Sequence, residues 1–180
     1  MKSRAIILLL LMITLAPKLF GGELVSLKDF LKKELAPSAK MTKEVFQLKP
    51  EHRTVLKSIA SHAEEDAFSF FYGKSAAGAL EKACTVVPQQ GKEGPMTIGI
   101  CFEPSGLVTS VTILSSEEER GKKVAEESFL KQFKGKKMSD AFQVGSDVDG
   151  VSGATWSSKA VAEALRKSSF AFKTFVEVKK

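Results

Sequence analysis

The chain has 180 residues, and 43% of them are hydrophobic, so it is expected to form one domain with a packed core rather than a disordered chain. Its formal net charge is +6, of which Lys2, Arg4 and Lys18 supply three charges near the N-terminus. The rest of the chain has a net charge of only +3, which is too small for a protein that binds nucleic acid along its surface, so no nucleic-acid partner is predicted.

Residues 1–22 are predicted to be a signal peptide. Lys2 and Arg4 precede an apolar run over residues 5–16, and Pro17 and two glycines follow it. The run is shorter than the ~20 residues of a membrane-spanning helix. An uncleaved N-terminal anchor is the alternative. Either interpretation predicts an exported protein, in the periplasm or on the outer face of the cytoplasmic membrane.

Residues 23–78 are predicted to form a helical lead-in segment. Apolar residues follow helical spacing from Leu24 to Leu35, and Pro37 ends that run. A second helix is expected over residues 51–63, and a short aromatic strand over residues 68–72.

Residues 79–180 have the pattern of an α+β domain, an antiparallel sheet flanked by helices. Strands are predicted over residues 84–87, 96–102 and 107–114. A helix over residues 121–133 should turn Val124, Phe129, Leu130 and Phe133 inward, and a last helix should run from Ser157 to about Phe172.

The two cysteines are expected to face each other across a hairpin. If the hairpin closes over a four-residue loop, residues 91–94, then Cys84 lies opposite Cys101. Such a pair either forms a disulfide, which an oxidising compartment permits, or remains two buried thiols in neighbouring strands.

The segment Asp149-Gly-Val-Ser-Gly-Ala-Thr155 and the three residues after it carry the candidate site. Gly150 and Gly153 allow close backbone approach, Ala154 leaves room beside Thr155, and the following helix offers unpaired N–H groups to an anion. Four hydroxyls lie within seven residues: Ser152, Thr155, Ser157 and Ser158. The simplest alternative is a turn that only caps the helix.

A serine nucleophile at Ser152 is rejected. Ala154 occupies the position of the last glycine in the G-x-S-x-G motif of serine hydrolases. In those enzymes the catalytic histidine follows the serine in the chain, whereas both histidines of this chain precede Ser152.

The same segment resembles the flavinylation motif of the FMN-binding domain family, which includes flavin-bearing subunits of Rnf and sodium-pumping NADH:quinone oxidoreductase complexes and small exported members. Glu118 and Gly121 match the family's Glu-Thr-Pro-Gly element, although its Thr and Pro are absent here. Residues 129–135 match a Phe-x-x-x-Phe-x-Gly element. The resemblance covers roughly residues 80–175 and implies an FMN-binding domain over residues 79–180.

The resemblance implies FMN joined through its phosphate to Thr155 by an FAD:protein FMN transferase. Asp149 would either present its carboxylate to the metal of that transferase or accept hydrogen bonds from loop N–H groups. Ser157 and Ser158 would cap the helix and donate to the phosphate. Trp156 would border the flavin or occupy the core or its rim, and Glu118 would accept a hydrogen bond from the flavin or lie in a solvated acidic turn.

These features predict an exported electron carrier. The sequence does not identify its redox partners, and membrane-bound proteins are among the candidates. A nicotinamide fingerprint and a convergent set of acids and bases are both missing from the sequence, so an autonomous oxidoreductase is not favoured. A non-covalent FMN-binding module and an extracytoplasmic flavin reductase are the alternatives.

Overall fold

The computed structural model describes residues 22–61, 63–119 and 122–177, so the predicted signal segment lies outside the described residues except for Gly22. Six strands form one sheet, and every neighbouring pair is antiparallel. The strands are β1 (Gly22–Glu23), β2 (Lys40–Gln47), β3 (Ala67–Lys74), β4 (Leu80–Gln90), β5 (Pro95–Phe102) and β6 (Val108–Ser116), in the spatial order β1-β6-β5-β4-β3-β2. The α-helices are α1 (Leu27–Leu35), α2 (Pro50–Ser58), α3 (Glu127–Leu130) and α4 (Thr155–Phe175). The predicted α+β class with an antiparallel sheet is confirmed.

Helix α4 covers one face of the sheet and forms the main core with it. Alternate residues of β5, among them Ile98, Ile100 and Phe102, point to this face and are fully buried. Phe172 of α4 packs on Phe102, with ring centroids 4.9 Å apart. Burial of these large side chains fixes the height of α4 above the sheet and therefore the position of its first turn.

Helix α1 covers part of the opposite face, over the strands that carry the cysteines. Ser26 caps this helix by accepting a hydrogen bond from the N–H of Asp29 at 3.1 Å. Phe30 lies directly on Gly99, where a Cβ atom would come within 2.6 Å of the ring. Only glycine permits this approach.

The helical lead-in predicted for residues 23–78 is corrected by the structure. Helices α1 and α2 lie near their predicted positions, but residues 40–47 form β2, and β3 joins it to β4 in the same sheet. Strand β2 is an edge strand with charged residues on both faces, so alternation does not reveal it. Its Phe46 is partly buried, stacks on Phe175 at 5.0 Å and so packs against the core.

The helix predicted over residues 121–133 is also corrected. This segment forms a 3₁₀ turn over Lys122–Ala125, the short helix α3, and a second 3₁₀ turn over Lys131–Phe133. Val124 and Phe129 would point about 140° apart on a continuous helix. The break at Glu126 lets both face inward, and the predicted burial of Val124, Phe129, Leu130 and Phe133 is confirmed.

Candidate functional site

The hairpin of β4 and β5 has the predicted register. The N–H of Gly91 donates to the carbonyl of Gly94 at 2.9 Å, and Cys84 lies opposite Cys101. Their sulfur atoms are bonded, and both residues are fully buried beneath α1. The disulfide joins the two central strands whose turn lies beside the motif.

The loop before α4 is held by the side chain of Gln132. Its Oε1 accepts from the N–H of Asp149 at 2.7 Å, and its Nε2 donates to the carbonyl of the same residue at 3.1 Å. Gly150 follows, and a Cβ there would lie 2.9 Å from a methyl group of Val144. The loop therefore enters the motif along a fixed path that leaves no room for a side chain at residue 150.

Ser158 closes the loop onto the helix. Its hydroxyl accepts from the N–H of Val151 at 3.0 Å and donates to the carbonyl of Ala154 at 2.9 Å. Gly153, at φ +78°, makes the turn between them in a conformation that favours glycine. Ser158 is fully buried and its hydroxyl caps no helix N–H, so the capping expected of it is wrong, whereas its contact with a phosphate stays a prediction.

Helix α4 begins at Thr155, two residues before the predicted start at Ser157. Its N-cap residue is Ala154, which offers no side-chain acceptor to the first turn. Within the described residues, the N–H groups of Thr155, Trp156 and Ser157 have no acceptor. Thr155 itself is exposed, as are Ser152 and Gly153. The site thus presents an accessible hydroxyl beside the positive end of a 21-residue helix.

Glu118 is buried and contacts the motif helix. One carboxylate oxygen accepts from the hydroxyl of Ser157, and the other accepts from the N–H of Glu93 at 2.7 Å and that of Gly94 at 3.4 Å. The alternative of a solvated acidic turn is therefore wrong. Ser157 is also buried and donates to Glu118, so it caps no helix N–H, and the capping expected of it is wrong as well.

Asp149 and Trp156 both face the solvent. The carboxylate of Asp149 has no hydrogen-bond partner among the described residues, so the structure gives no support to its alternative role of bracing the loop. Trp156 is 69% exposed, which excludes a core position. Asp149 lies six residues before Thr155 and Trp156 directly follows it, and both side chains are exposed.

A cavity of about 370 Å³ lies between α4 and the β4–β5 hairpin, and sequence reasoning missed it. It is lined by Lys167, by residues 88–90 and Pro95 of the hairpin, and by Glu64 and Glu65. Lys167 is 3% exposed and its ammonium group pairs with Glu65. The available signal was a lysine followed directly by small and apolar residues, 168–172, in the last helix.

The geometry fits a ligand that carries a phosphate. Unpaired N–H groups at a helix N-terminus bind such anions, and an exposed hydroxyl in the same turn can be esterified by one. Gly153 has no neighbouring atom within 4 Å of a Cβ position, so the approach to Thr155 is open.

Comparisons with known proteins agree with this arrangement. The chain resembles Shewanella oneidensis NqrC, with 18% identity and a TM-score of 0.56 over 82% of this chain and 86% of that one. It also resembles the corresponding component of the Na⁺-translocating NADH-quinone reductase from Parabacteroides distasonis ATCC 8503, with 22% identity and a TM-score of 0.52 over 75% of this chain and 78% of that one. These likenesses show the fold, whereas no curated protein matches the sequence. Residues 91–169, which include the whole motif, match the model of the FMN-binding domain. This part of the chain is therefore similar to the FMN-binding domain family.

Proposed function

We propose that this protein is an exported electron-transfer flavoprotein that carries FMN bonded through its phosphate to Thr155. The observation that carries the proposal is the exposed Thr155 hydroxyl at the unpaired first turn of α4, within a segment that matches the FMN-binding domain model. The Parabacteroides protein with the same fold belongs, by its name, to a redox enzyme.

Thr155 is the proposed attachment residue because its hydroxyl is the accessible one at the helix start. An FAD:protein FMN transferase would make the bond: Thr155 Oγ attacks the FMN phosphorus of FAD and loses its proton, and the pyrophosphate bond breaks to release AMP. The phosphodiester keeps one negative charge. The N-terminus of α4 stabilises such a charge by about 0.3–1 kcal/mol, and by more if it is partly buried.

Asp149 is proposed to act in the transfer rather than in the finished protein. Its carboxylate is exposed, and the Gln132 side chain fixes its backbone, so it can be presented to a metal ion in the transferase. A hard divalent cation prefers such an oxygen ligand when phosphates are also bound.

The residues around Thr155 would then orient the flavin. When bound, FMN supplies the redox chemistry, and the protein sets its position and surroundings. Ser158 and Glu118 hold the first turn of α4 and the hairpin in place, while Trp156 lies exposed beside the attachment point. A covalent tether would keep the flavin on a protein that works outside the cytoplasm.

Export is supported by the predicted signal segment and by the bonded cysteines, since disulfides persist in oxidising compartments. Within the described residues, no helix has the length and apolar character needed to cross a bilayer.

Intact mass after co-expression with the transferase in an exported compartment tests the proposal. The mass should rise by that of FMN less one water, on the peptide that contains Thr155. Thr155→Ala should carry no flavin while keeping its fold, and Thr155→Ser should keep part of it. Flavin fluorescence that survives a denaturing gel distinguishes a bonded flavin from a non-covalent one. A folded, colourless wild-type protein from such a host would overturn the proposal.

A further inference from the structure

The cavity beside Lys167 contains polar groups whose hydrogen bonding is incomplete. Lys167 Nζ donates to Glu65 and to the carbonyl of Pro88 at 2.9 Å, which accounts for two of the three hydrogens of an ammonium group. Glu65 Oε2 and Gln89 Oε1 are buried without a partner among the described residues. Buried polar atoms without partners are uncommon and costly. A ligand that accepts from Lys167 and donates to one of these oxygens would satisfy them.

The cavity and the attachment site share two structural elements. Trp156 and Lys167 are eleven residues apart, about three turns of α4, and so lie on the same side of the helix. The hairpin that supplies Gln89 and Pro95 also supplies the N–H groups of residues 93 and 94, which bind Glu118 beside Ser157. Trp156, the cavity and the hairpin turn therefore lie along one side of α4.

The separation also suits the proposed cofactor. Thr155 and Lys167 are about 18 Å apart along the helix axis, and the lysine side chain leans back toward the N-terminus, which shortens that distance. A phosphate, a ribityl chain and an isoalloxazine ring laid end to end span a separation of this order. The cavity volume of about 370 Å³ lies in the range of small-molecule pockets.

We infer that this cavity binds the pyrimidine edge of the flavin, an inference that rests on the proposed function. That edge carries the N3–H group with one carbonyl group on each side of it, C2=O and C4=O. It therefore offers an acceptor, a donor and an acceptor in sequence. Lys167 would donate its remaining hydrogen to the C2 carbonyl, and Gln89 Oε1 would accept from N3–H. Trp156 would border the ring nearer the attachment point.

Lys167 would also favour the reduced flavin. Uptake of two electrons and one proton leaves a negative charge on the N1–C2 carbonyl region at neutral pH. A buried ammonium group that donates a hydrogen bond to that region stabilises the charge, and its ion pair with Glu65 offsets only part of this effect. Lys167 therefore has two roles: it positions the flavin ring, and it raises the midpoint potential of the flavin.

The experiment uses full-length protein loaded by the transferase, with occupancy measured by intact mass. Lys167→Met removes the buried charge, Gln89→Met removes the unpartnered oxygen, and Lys159→Met is the matched control, since it removes an exposed lysine of the same helix. The ratio of reduced to oxidised flavin is measured against a reference dye, at the potential where the wild-type protein is half reduced. Flavin fluorescence reports whether the ring is held in the cavity.

We expect full occupancy in all three variants. In Lys167→Met, the ratio of reduced to oxidised flavin should fall about tenfold. In Gln89→Met, flavin fluorescence should rise as the ring leaves the cavity, whereas Lys159→Met should match the wild-type protein in both measurements. If Lys167→Met and Gln89→Met both match the Lys159→Met control, the inference is wrong while the proposed function stands.

Gln89→Met keeps the inference testable if Lys167→Met does not fold, because the unpartnered Oε1 of Gln89 has no hydrogen bond to lose. An unchanged fluorescence in Gln89→Met would then overturn the inference by itself. A wild-type protein that takes up no FMN would instead overturn the proposed function, and this inference with it.

Discussion

Glu118 and Ser157 are 39 residues apart in the chain, yet their side chains are hydrogen-bonded in the interior of the protein. The same carboxylate accepts the N–H groups of Glu93 and Gly94. Three separate segments therefore meet at one buried acid: the β4–β5 turn, the segment after β6 and the first turn of α4. The position of Thr155 depends on this junction, because Ser157 lies two residues further along the same helix.

Replacing Glu118 with alanine should destabilise the junction. It would leave the Ser157 hydroxyl and the Gly94 N–H buried without their acceptor, and the Glu93 N–H would lose its hydrogen bond, at a cost of about 2–4 kcal/mol in the free energy of unfolding. Glu118→Gln should cost less, because the amide keeps one acceptor oxygen and the serine hydroxyl can rotate to accept from its NH₂ group. Urea denaturation measures both, with the exposed Glu119→Ala as control. Equal stability of the alanine variant and that control would contradict the structural role.

Ser158→Ala should loosen the loop that carries the motif. The substitution removes the acceptor for the N–H of Val151 and the donor to the carbonyl of Ala154, at a cost of about 1–3 kcal/mol. Because the loop then samples other paths, the yield of covalent flavin on Thr155 should also fall. Intact mass and urea denaturation of the same samples check both effects. Ser152→Ala is the control for stability, since Ser152 is exposed.

The parts of the fold that local pattern determines could be predicted from the sequence. The glycines at 91 and 94 set the hairpin register and hence the Cys84–Cys101 pairing, and the apolar spacing located α4. Strand β2 was missed because the charges of an edge strand hide its alternation. The burial of Glu118 was missed because its neighbours Glu117 and Glu119 look solvated, and its partners lie far away in the chain.

Asp149→Ala should separate flavin transfer from folding. The carboxylate has no partner among the described residues, so stability should change by less than about 0.5 kcal/mol. The yield of covalent flavin should nevertheless fall, because the proposed role of the Asp149 carboxylate is to bind the metal ion of the transferase during transfer. The yield is read from intact mass after a fixed time of modification. An unchanged yield would remove that role.

The disulfide should contribute measurably to stability. Cys84 and Cys101 enclose a loop with a sequence separation of 17, for which restriction of the unfolded chain predicts about 3 kcal/mol. The Cys84→Ala/Cys101→Ala variant should lose this amount in urea denaturation and become insensitive to reductant. Flavin occupancy should be retained, since the bond lies beneath α1 on the sheet face opposite α4. A wild-type protein whose stability is unaffected by complete reduction would contradict this expectation.

Asp147 should make stability depend on acidic pH. Burial raises the pKa of its carboxyl group, but hydrogen bonds from the N–H groups of Gln143 and Phe142, together with Lys136, outweigh burial and hold the pKa below its ordinary value of 3.8. The ionised Asp147 carboxylate therefore contributes fully to the free energy of unfolding above about pH 4. This contribution is lost as pH falls through the lowered pKa. Asp147→Asn should be less stable than wild type at about pH 6, and the difference should shrink as pH falls through the lowered pKa. Urea denaturation across this range measures both curves, with Asp149→Asn as the matched control. A constant difference between Asp147→Asn and wild type at every pH would show that the carboxyl group does not titrate as inferred.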